Sequence, residues 1–335
     1  MQEYTKKDTI FIQIASYRDP ELQWTLKDLF EKAKRPENIF IGICHQYDMK
    51  GNEDKHLFEI PFSHPKQLRI DNVDYRDSKG ICWAKDRARN LYNNEKWFLF
   101  LDSHHRFIEN WDEILVLEIK KIQQKTNNNN IILSQCPPTY NIETNEKNNY
   151  ISNRISCKYF IGTYTNCSSD KYSDNENLTL FCYGCFVFSS STNLLYRLNP
   201  KSDNLDEVPF SISNWTNRFD LYVISKPVIW HYWPNGEESE KNIERKKYKV
   251  TNTYANNFML ALIESKKSKD NNILEDIKQY HLGNKRTLRD YERFSGINFR
   301  KKTMRERTKQ GIFEEWKEVK DIKSIKKLFK KQKND

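Results

Sequence analysis

The sequence predicts an α/β fold, a mostly parallel sheet flanked by helices. Short apolar runs such as IFIQIA, IFIGIC and WFLFL alternate with segments whose apolar residues recur every three or four positions. The first run, the helical segment after it and the second run form a strand–helix–strand unit, which requires parallel pairing and a right-handed crossover. The third run stops abruptly at Asp102-Ser103-His104-His105, and open α/β sheets collect ligands outside the carboxyl ends of their strands.

Each element has its own signal. Ile10–Ala15 reads as the first strand, and Ser16-Tyr17-Arg18-Asp19-Pro20 breaks it with a proline suited to a first helical turn. Leu22, Leu26, Leu29, Phe30 and Ala33 keep helical spacing until Pro36. Ile39–Cys44 and Leu68–Val73 are the next strands. Lys79-Gly80-Ile81 opens a helix with Ala84, Ala88, Leu91 and Tyr92 on one side. Its first amides and dipole suit a diphosphate, with Lys79 and Lys85 adding charge and Arg89 read as part of the solvated face. After the WFLFLDSHH strand, Trp111–Gln124 is helical, Asn127–Asn130 is a loop and Ile131–Ser134 resumes the sheet. Residues 135–174 show little period and read as a long excursion on the acceptor side. Leu180–Ser189 is a strand around Gly184, and Asp206 begins a short helix through Trp215. Leu221–Ile224 and Val228–Tyr232 are the last strands, the second bringing His231 to the end of an apolar run.

Composition narrows the function. The 335 residues suffice for one elaborated catalytic domain, 1–300, followed by a basic amphipathic C-terminal helix, 301–335. A formal charge of +10 points to an anionic partner: a nucleotide, nucleic acid or acidic membrane. The basic residues are scattered, without the aromatic interleaving of a nucleic-acid module, so no nucleic acid is expected. Seven cysteines with no regular framework indicate a reducing compartment, and Cys182 and Cys185 lie in an apolar run that reads as core. The polar N-terminus leads straight into a strand and no apolar run reaches membrane-spanning length. A cytoplasmic location is expected, peripheral on the inner membrane face if the C-terminal helix binds there. In that segment Ile312, Phe313, Trp316, Val319, Ile322, Ile325, Leu328 and Phe329 repeat every three or four residues, and six lysines fall between Lys323 and Lys333; packing of this helix against the catalytic domain is the competing reading.

Asp102 and His104, at i and i+2, form half a site for a divalent cation, with Mn2+ or Mg2+ favoured over Zn2+ by the oxygen-rich surroundings. His231 can complete it. The competing readings are a loop cap for Asp102 and a backbone-satisfied imidazole for His231. Arg18 can hold a phosphate and Asp19 a ribose hydroxyl or base; as isolated residues they read as a solvated neighbour and an N-cap.

Four motifs in order, IQIASYRDPEL, KGICWAKDRARNLY, FLFLDSHHRF and HLGNKRTLRDYERFSGINF, resemble the GlcNAc-transferase family that includes cytoplasmic polypeptide N-acetylglucosaminyltransferases modifying hydroxyproline. The resemblance covers most of residues 9 to 300. It implies a glycosyltransferase A-type fold, a Rossmann-like nucleotide-binding mixed sheet flanked by helices, using a UDP-sugar, chiefly UDP-GlcNAc, with a divalent metal and retention at the anomeric carbon. Asp102 and His104 fall on the family's DxD-like metal motif and His231 on its later histidine. Ser16, Arg18 and Asp19 fall on its nucleotide loop, with Ser103 beside them, and Gly80, Trp83 and Lys85 on its G-x-C-W-A-R motif. Asp206-Glu207 matches its paired acids, implying a catalytic role in orienting hydroxyls or stabilising an oxocarbenium-like centre; N-capping is the alternative for Asp206. Ser213–Asp220 resembles R-x-W-T-x-G-Y-D. This chain departs from the pattern at Lys85 for arginine, His105 for methionine, Asp206 for glutamate and Asn217-Arg218 for His-Gly, which leaves the donor sugar and the acceptor, glycan or polypeptide, open. A nucleic-acid-binding protein and a non-catalytic glycan-binding protein are the readings from other classes.

Overall fold

The computed structural model describes residues 3–148, 155–161, 164–169, 177–190, 196–202, 207–224, 226–233 and 252–309. Asp206 and the basic stretch from Ile312 onward therefore lie outside the described residues.

The chain opens with strand β1 (Ile10–Tyr17), helix α1 (Glu21–Glu31), β2 (Ile39–Tyr47), β3 (Leu68–Asp74), helix α2 (Ile81–Arg89) and β4 (Trp97–Leu101). These four strands pair in parallel in the order β3-β2-β1-β4. The chain extends the sheet to one side of β1 and then returns to pair on its other side, which opens a crevice beyond the carboxyl ends of β1 and β4. A short strand β5 (His105–Phe107) leaves the sheet, helix α3 (Trp111–Thr126) follows, and β6 (Ile131–Ser134) returns to it. The expected irregular stretch 135–174 instead holds an antiparallel pair, β7 (Ile155–Ile161) and β8 (Tyr164–Ser169). The Asn, Ser and Tyr content around Ile155–Ile161 masked the short alternation of Ile155, Cys157, Tyr159 and Ile161.

Strand β9 (Asn177–Leu178) comes next, and β10 (Phe186–Ser189) runs antiparallel between β4 and β6. The predicted strand from Leu180 begins only at Phe186. Helix α4 (Glu207–Thr216), β11 (Asp220–Val223) and β12 (Ile229–His231) precede helices α5 (Asn252–Leu262), α6 (Asn271–Gln279) and α7 (Leu288–Ser295). A small antiparallel pair, β13 (Ile297–Asn298) and β14 (Thr303–Met304), closes the described chain with the short helix α8 (Glu306–Lys309). Among the described residues the sheet has eight strands in the order β3-β2-β1-β4-β10-β6-β11-β9.

Alternation along the central strands divides the core between two faces. Ile10, Ile12, Ile14, Leu99 and Leu101 face α1 and α3, joining Leu22, Leu26, Leu29, Leu115 and Ile119. Phe11, Phe98 and Phe100 turn the other way and share a cluster with Trp215, Phe258, Tyr291 and Phe294. Each fully buried leucine or phenylalanine in these layers contributes roughly 1.5–3 kcal/mol by removing apolar area from water. Gly42 makes the close docking of α2 on β2 possible: a Cβ there would lie 2.7 Å from the Ala88 carbonyl oxygen. Cys182 and Cys185 are buried free thiols, and burial raises the Cys182 thiol to about 12, in keeping with a packing role.

Candidate active site

Three loops meet beyond the carboxyl ends of β1 and β4. The first follows β1. Arg18 takes a left-handed backbone, φ 45°, and Asp19 then starts α1, one carboxylate oxygen accepting from the Glu21 amide at 3.0 Å. The second is the tight link Asp102–His104 between β4 and β5. The third is the end of β12, which pairs antiparallel with β5 and sets His231 opposite His105.

These loops bring Asp102, His104 and His231 together, with one ligand atom from each within 4.8 Å of the others. Asp102 Oδ2 lies 3.3 Å from His231 Nε2. Burial works to raise the Asp102 carboxyl, but the His231 hydrogen bond and the Lys85 charge outweigh it and hold the group below the ordinary carboxylate range, so it is ionised. His231 is displaced downward by burial, against the pull of Asp102, and stays neutral near pH 7. Neutral imidazole and ionised carboxylate are the forms that bind a cation. His231 Nδ1 is buried without a hydrogen-bond partner among the described residues. Leaving a buried nitrogen unpaired costs about 1–3 kcal/mol, so packing alone does not account for this imidazole.

Behind the cluster stands Asp19. Its second carboxylate oxygen accepts from Ser103 Oγ and from His104 Nδ1, each at 2.7 Å. A carboxylate only accepts, so Nδ1 of His104 carries a proton, and in the neutral ring Nε2 is the nitrogen with the lone pair. That is the arrangement of a metal-binding histidine, whose other nitrogen is tied to a carboxylate. One carboxylate oxygen, two imidazoles and a supporting carboxylate thus fit a divalent cation. His105 serves differently. It accepts from the Asp102 amide at Nε2, 3.3 Å, and donates from Nδ1 to the Trp230 carbonyl, 3.0 Å. With both nitrogens engaged, it braces the Asp102 turn against β12.

A cation and an acid flank the cluster. Lys85, from α2, is buried with its ammonium 4.3 Å from the Phe100 ring centre, and it donates to the Gly184 carbonyl at 3.3 Å. Glu207, in the first turn of α4, accepts from the Gly184 amide at 2.9 Å. Gly184 is thus gripped through both backbone groups, the physical reason the stretch before Phe186 is not extended strand.

A family model described as glycosyltransferase (GlcNAc) matches residues 9–61 and 52–301. The chain belongs to this GlcNAc glycosyltransferase family. The shape agrees: a crystal structure of GalNAc-T7 with UDP, GalNAc and Mn2+ is similar to it at a TM-score of 0.56 and 13% identity. That likeness covers 85% of this chain and 56% of the other, so the family member spans little more than half the length of its structural neighbour. The fold is the glycosyltransferase A-type. A comparison with curated proteins finds no match.

The other expected contacts of this family member are placed as follows. The Arg18 guanidinium is held by Glu53 at 2.8 Å and Asp54 at 3.0 Å, 4.2 Å from the Tyr75 ring centre. Ser16 is buried at the end of β1, its hydroxyl without a partner among the described residues. Gly80, at φ 99°, precedes α2, and Trp83 lies on that helix with the Arg87 guanidinium 4.9 Å from its ring centre. Arg89 departs from the sequence reading: its side chain turns inward to the Tyr196 carbonyl at 2.9 Å, and burial lowers it to about 10. Sequence reasoning also passed over Glu21 and Arg106, a buried ion pair at 2.7 Å whose carboxylate also accepts from Tyr140. Their positions beside Asp19 and His105 are the only trace they leave in the sequence.

Proposed function

We propose that this chain is a metal-dependent, retaining glycosyltransferase that moves a sugar, GlcNAc in the first instance, from a UDP-sugar to a hydroxyl of a glycan or polypeptide. The observation that carries the reading is the convergence of Asp102, His104 and His231 at the sheet's crevice, with Asp19 orienting His104. The neighbour's UDP and Mn2+ support the donor and metal classes.

Asp102, His104 and His231 would hold Mn2+ or Mg2+, which when bound supplies Lewis-acid neutralisation of the leaving diphosphate. The Lys85 ammonium adds a fixed positive charge on the same side, worth several kcal/mol where charge develops. Ser16, Arg18, Asp19, Ser103 and the start of α2 at Gly80 and Trp83 form the nucleotide end. Glu207, and Asp206 before it in the sequence, would orient the sugar and acceptor hydroxyls or stabilise the oxocarbenium-like centre. No enzymic nucleophile is needed where a diphosphate oxygen removes the acceptor proton on the same face.

Among the described residues no helix is long and apolar enough to cross a membrane. The reading places the enzyme in the cytoplasm, peripheral on an anionic inner membrane face if the segment 312–335 binds there rather than packing on the catalytic domain. The test is UDP release from UDP-GlcNAc with Mn2+, repeated with chelator. Turnover that chelator and Asp102→Ala both abolish, in a variant with an unchanged melting curve, supports the proposal. A fully active Asp102→Ala enzyme overturns it.

A further inference from the structure

Away from the crevice, a cavity of about 610 Å3 lies between α7 and the β13–β14 turn. Its charged lining is one-sided: Arg289, Arg293, Lys301 and Arg305 against Glu292. The surrounding sequence has the same bias, with ten Lys and Arg against three acids over residues 285–309, which makes this the main source of the chain's +10.

The acids nearby are already engaged. Glu292 accepts from Arg289 at 2.5 Å and from the Phe299 amide at 2.9 Å, which fixes the turn. Asp290 closes the capping box of α7 with Thr287 and also accepts from Arg293. Lys301 and Arg305 make no ion pair with any described carboxylate, and both line the cavity. Their backbone is fixed: the Lys301 amide donates to Asn298 Oδ1 at 2.9 Å and the Arg305 amide to the Gly296 carbonyl at 3.0 Å. Gly296 is itself required here, at φ 73° with a Cβ position 2.3 Å from Thr308 Oγ1. Arg289 and Arg293 have carboxylate partners, which leaves Lys301 and Arg305 as the uncompensated cations of the cavity, and an anion between them relieves their repulsion. Arginine forks pair with phosphate oxygens through two parallel hydrogen bonds, and lysine adds a point charge.

We infer that this cavity binds a phosphate-bearing ligand, with Lys301 and Arg305 as its principal contacts. The ligand is either a free polyphosphate or the headgroup of an acidic phospholipid, and the site is independent of the donor crevice. The experiment uses the full chain in EDTA, which removes metal-dependent binding at the crevice, and compares it with Lys301→Gln/Arg305→Gln and Lys301→Glu/Arg305→Glu. Tripolyphosphate binding is followed by calorimetry, and cosedimentation with vesicles of phosphatidylcholine alone or with 30% phosphatidylglycerol. Tripolyphosphate binding that weakens at least tenfold in both variants identifies a free ligand. Cosedimentation only with the acidic vesicles, weakened at least tenfold in both variants relative to the wild type, identifies the headgroup. UDP release with Mn2+ and the melting curve stay unchanged in either case. Absence of binding by both probes, or equal binding by the variants, overturns the inference.

Discussion

Asp19 Oδ2 and His104 Nδ1 lie 2.7 Å apart although 85 residues separate them in the chain. The contact joins the loop after β1 to the loop after β4, the two strand ends that flank the crevice. It also sets which His104 nitrogen has the lone pair.

Asp19→Asn keeps an oxygen that can cap α1 but removes the charge that favours the Nδ1 proton. Loss of such a supporting carboxylate typically weakens metal binding about 10–100-fold. Titration of Mn2+ against the purified variant should show a loss of that order with little change in melting temperature. Unaltered Mn2+ affinity would separate Asp19 from the metal site.

Lys85→Met tests the buried ammonium. Methionine has a similar length and packs on Phe100, so the fold should survive. The Gly184 carbonyl loses its donor, and the crevice loses a positive charge close enough to hold down the Asp102 carboxyl. Turnover of UDP-GlcNAc should fall on the order of 100-fold, through kcat more than KM. Steady-state kinetics beside a thermal melt makes the comparison.

The sequence disclosed those parts of this architecture that rest on local pattern. Ile131–Ser134 appears with the predicted bounds, and β1, β2 and β4 start where their apolar runs start, because burial on both faces leaves a continuous apolar signature. Asp102, His104 and His231 were legible because each ends such a run. Relations that depend on tertiary approach were not. Arg89 occupies a position that looks solvent-facing on an isolated helix, and only the packing of residues near Tyr196 turns it inward. Asp19 reads locally as a cap; the N-cap position is Pro20, beside which Asp19 accepts from the Glu21 amide, and its second oxygen serves His104 through a contact no spacing rule encodes. The strand before Phe186 failed because Lys85 and Glu207 hold Gly184 from outside its own segment.

Arg106 and Glu21 form a pair that is costly to break. Both side chains are only 9% exposed, at 2.7 Å, and Arg106 also donates to Tyr140 and to the His105 carbonyl. Arg106→Met strands the Glu21 carboxylate, which typically costs 3–5 kcal/mol. Urea unfolding should show a loss of about that size, and Glu21→Gln added to Arg106→Met should recover part of it. A single variant as stable as the wild type would show that the pair is not desolvated.

His45 gives stability a pH dependence of known sign. Its ring is 1% exposed, packed with Tyr47, Phe58 and Phe62, and Nε2 has no partner among the described residues. Burial lowers it from 6.5 to about 4, against weaker upward pulls from Asp54 and Asp19. In the unfolded chain the imidazole takes up a proton below about pH 6.5, while in the folded chain it resists protonation until about pH 4. The unfolded state therefore binds more protons across that window, and stability falls as the pH drops through it. The contribution is complete above pH 6.5, and its loss by pH 4 is on the order of 3 kcal/mol. His231 and His105, also displaced downward by burial, act in the same direction. His45→Phe isolates the His45 share, since phenylalanine keeps the aromatic packing and cannot titrate. Urea unfolding at intervals between pH 7.5 and 4.5 should give a shallower decline for the variant. Parallel curves for the two proteins would mean that His45 titrates as freely in the folded protein as in the unfolded chain.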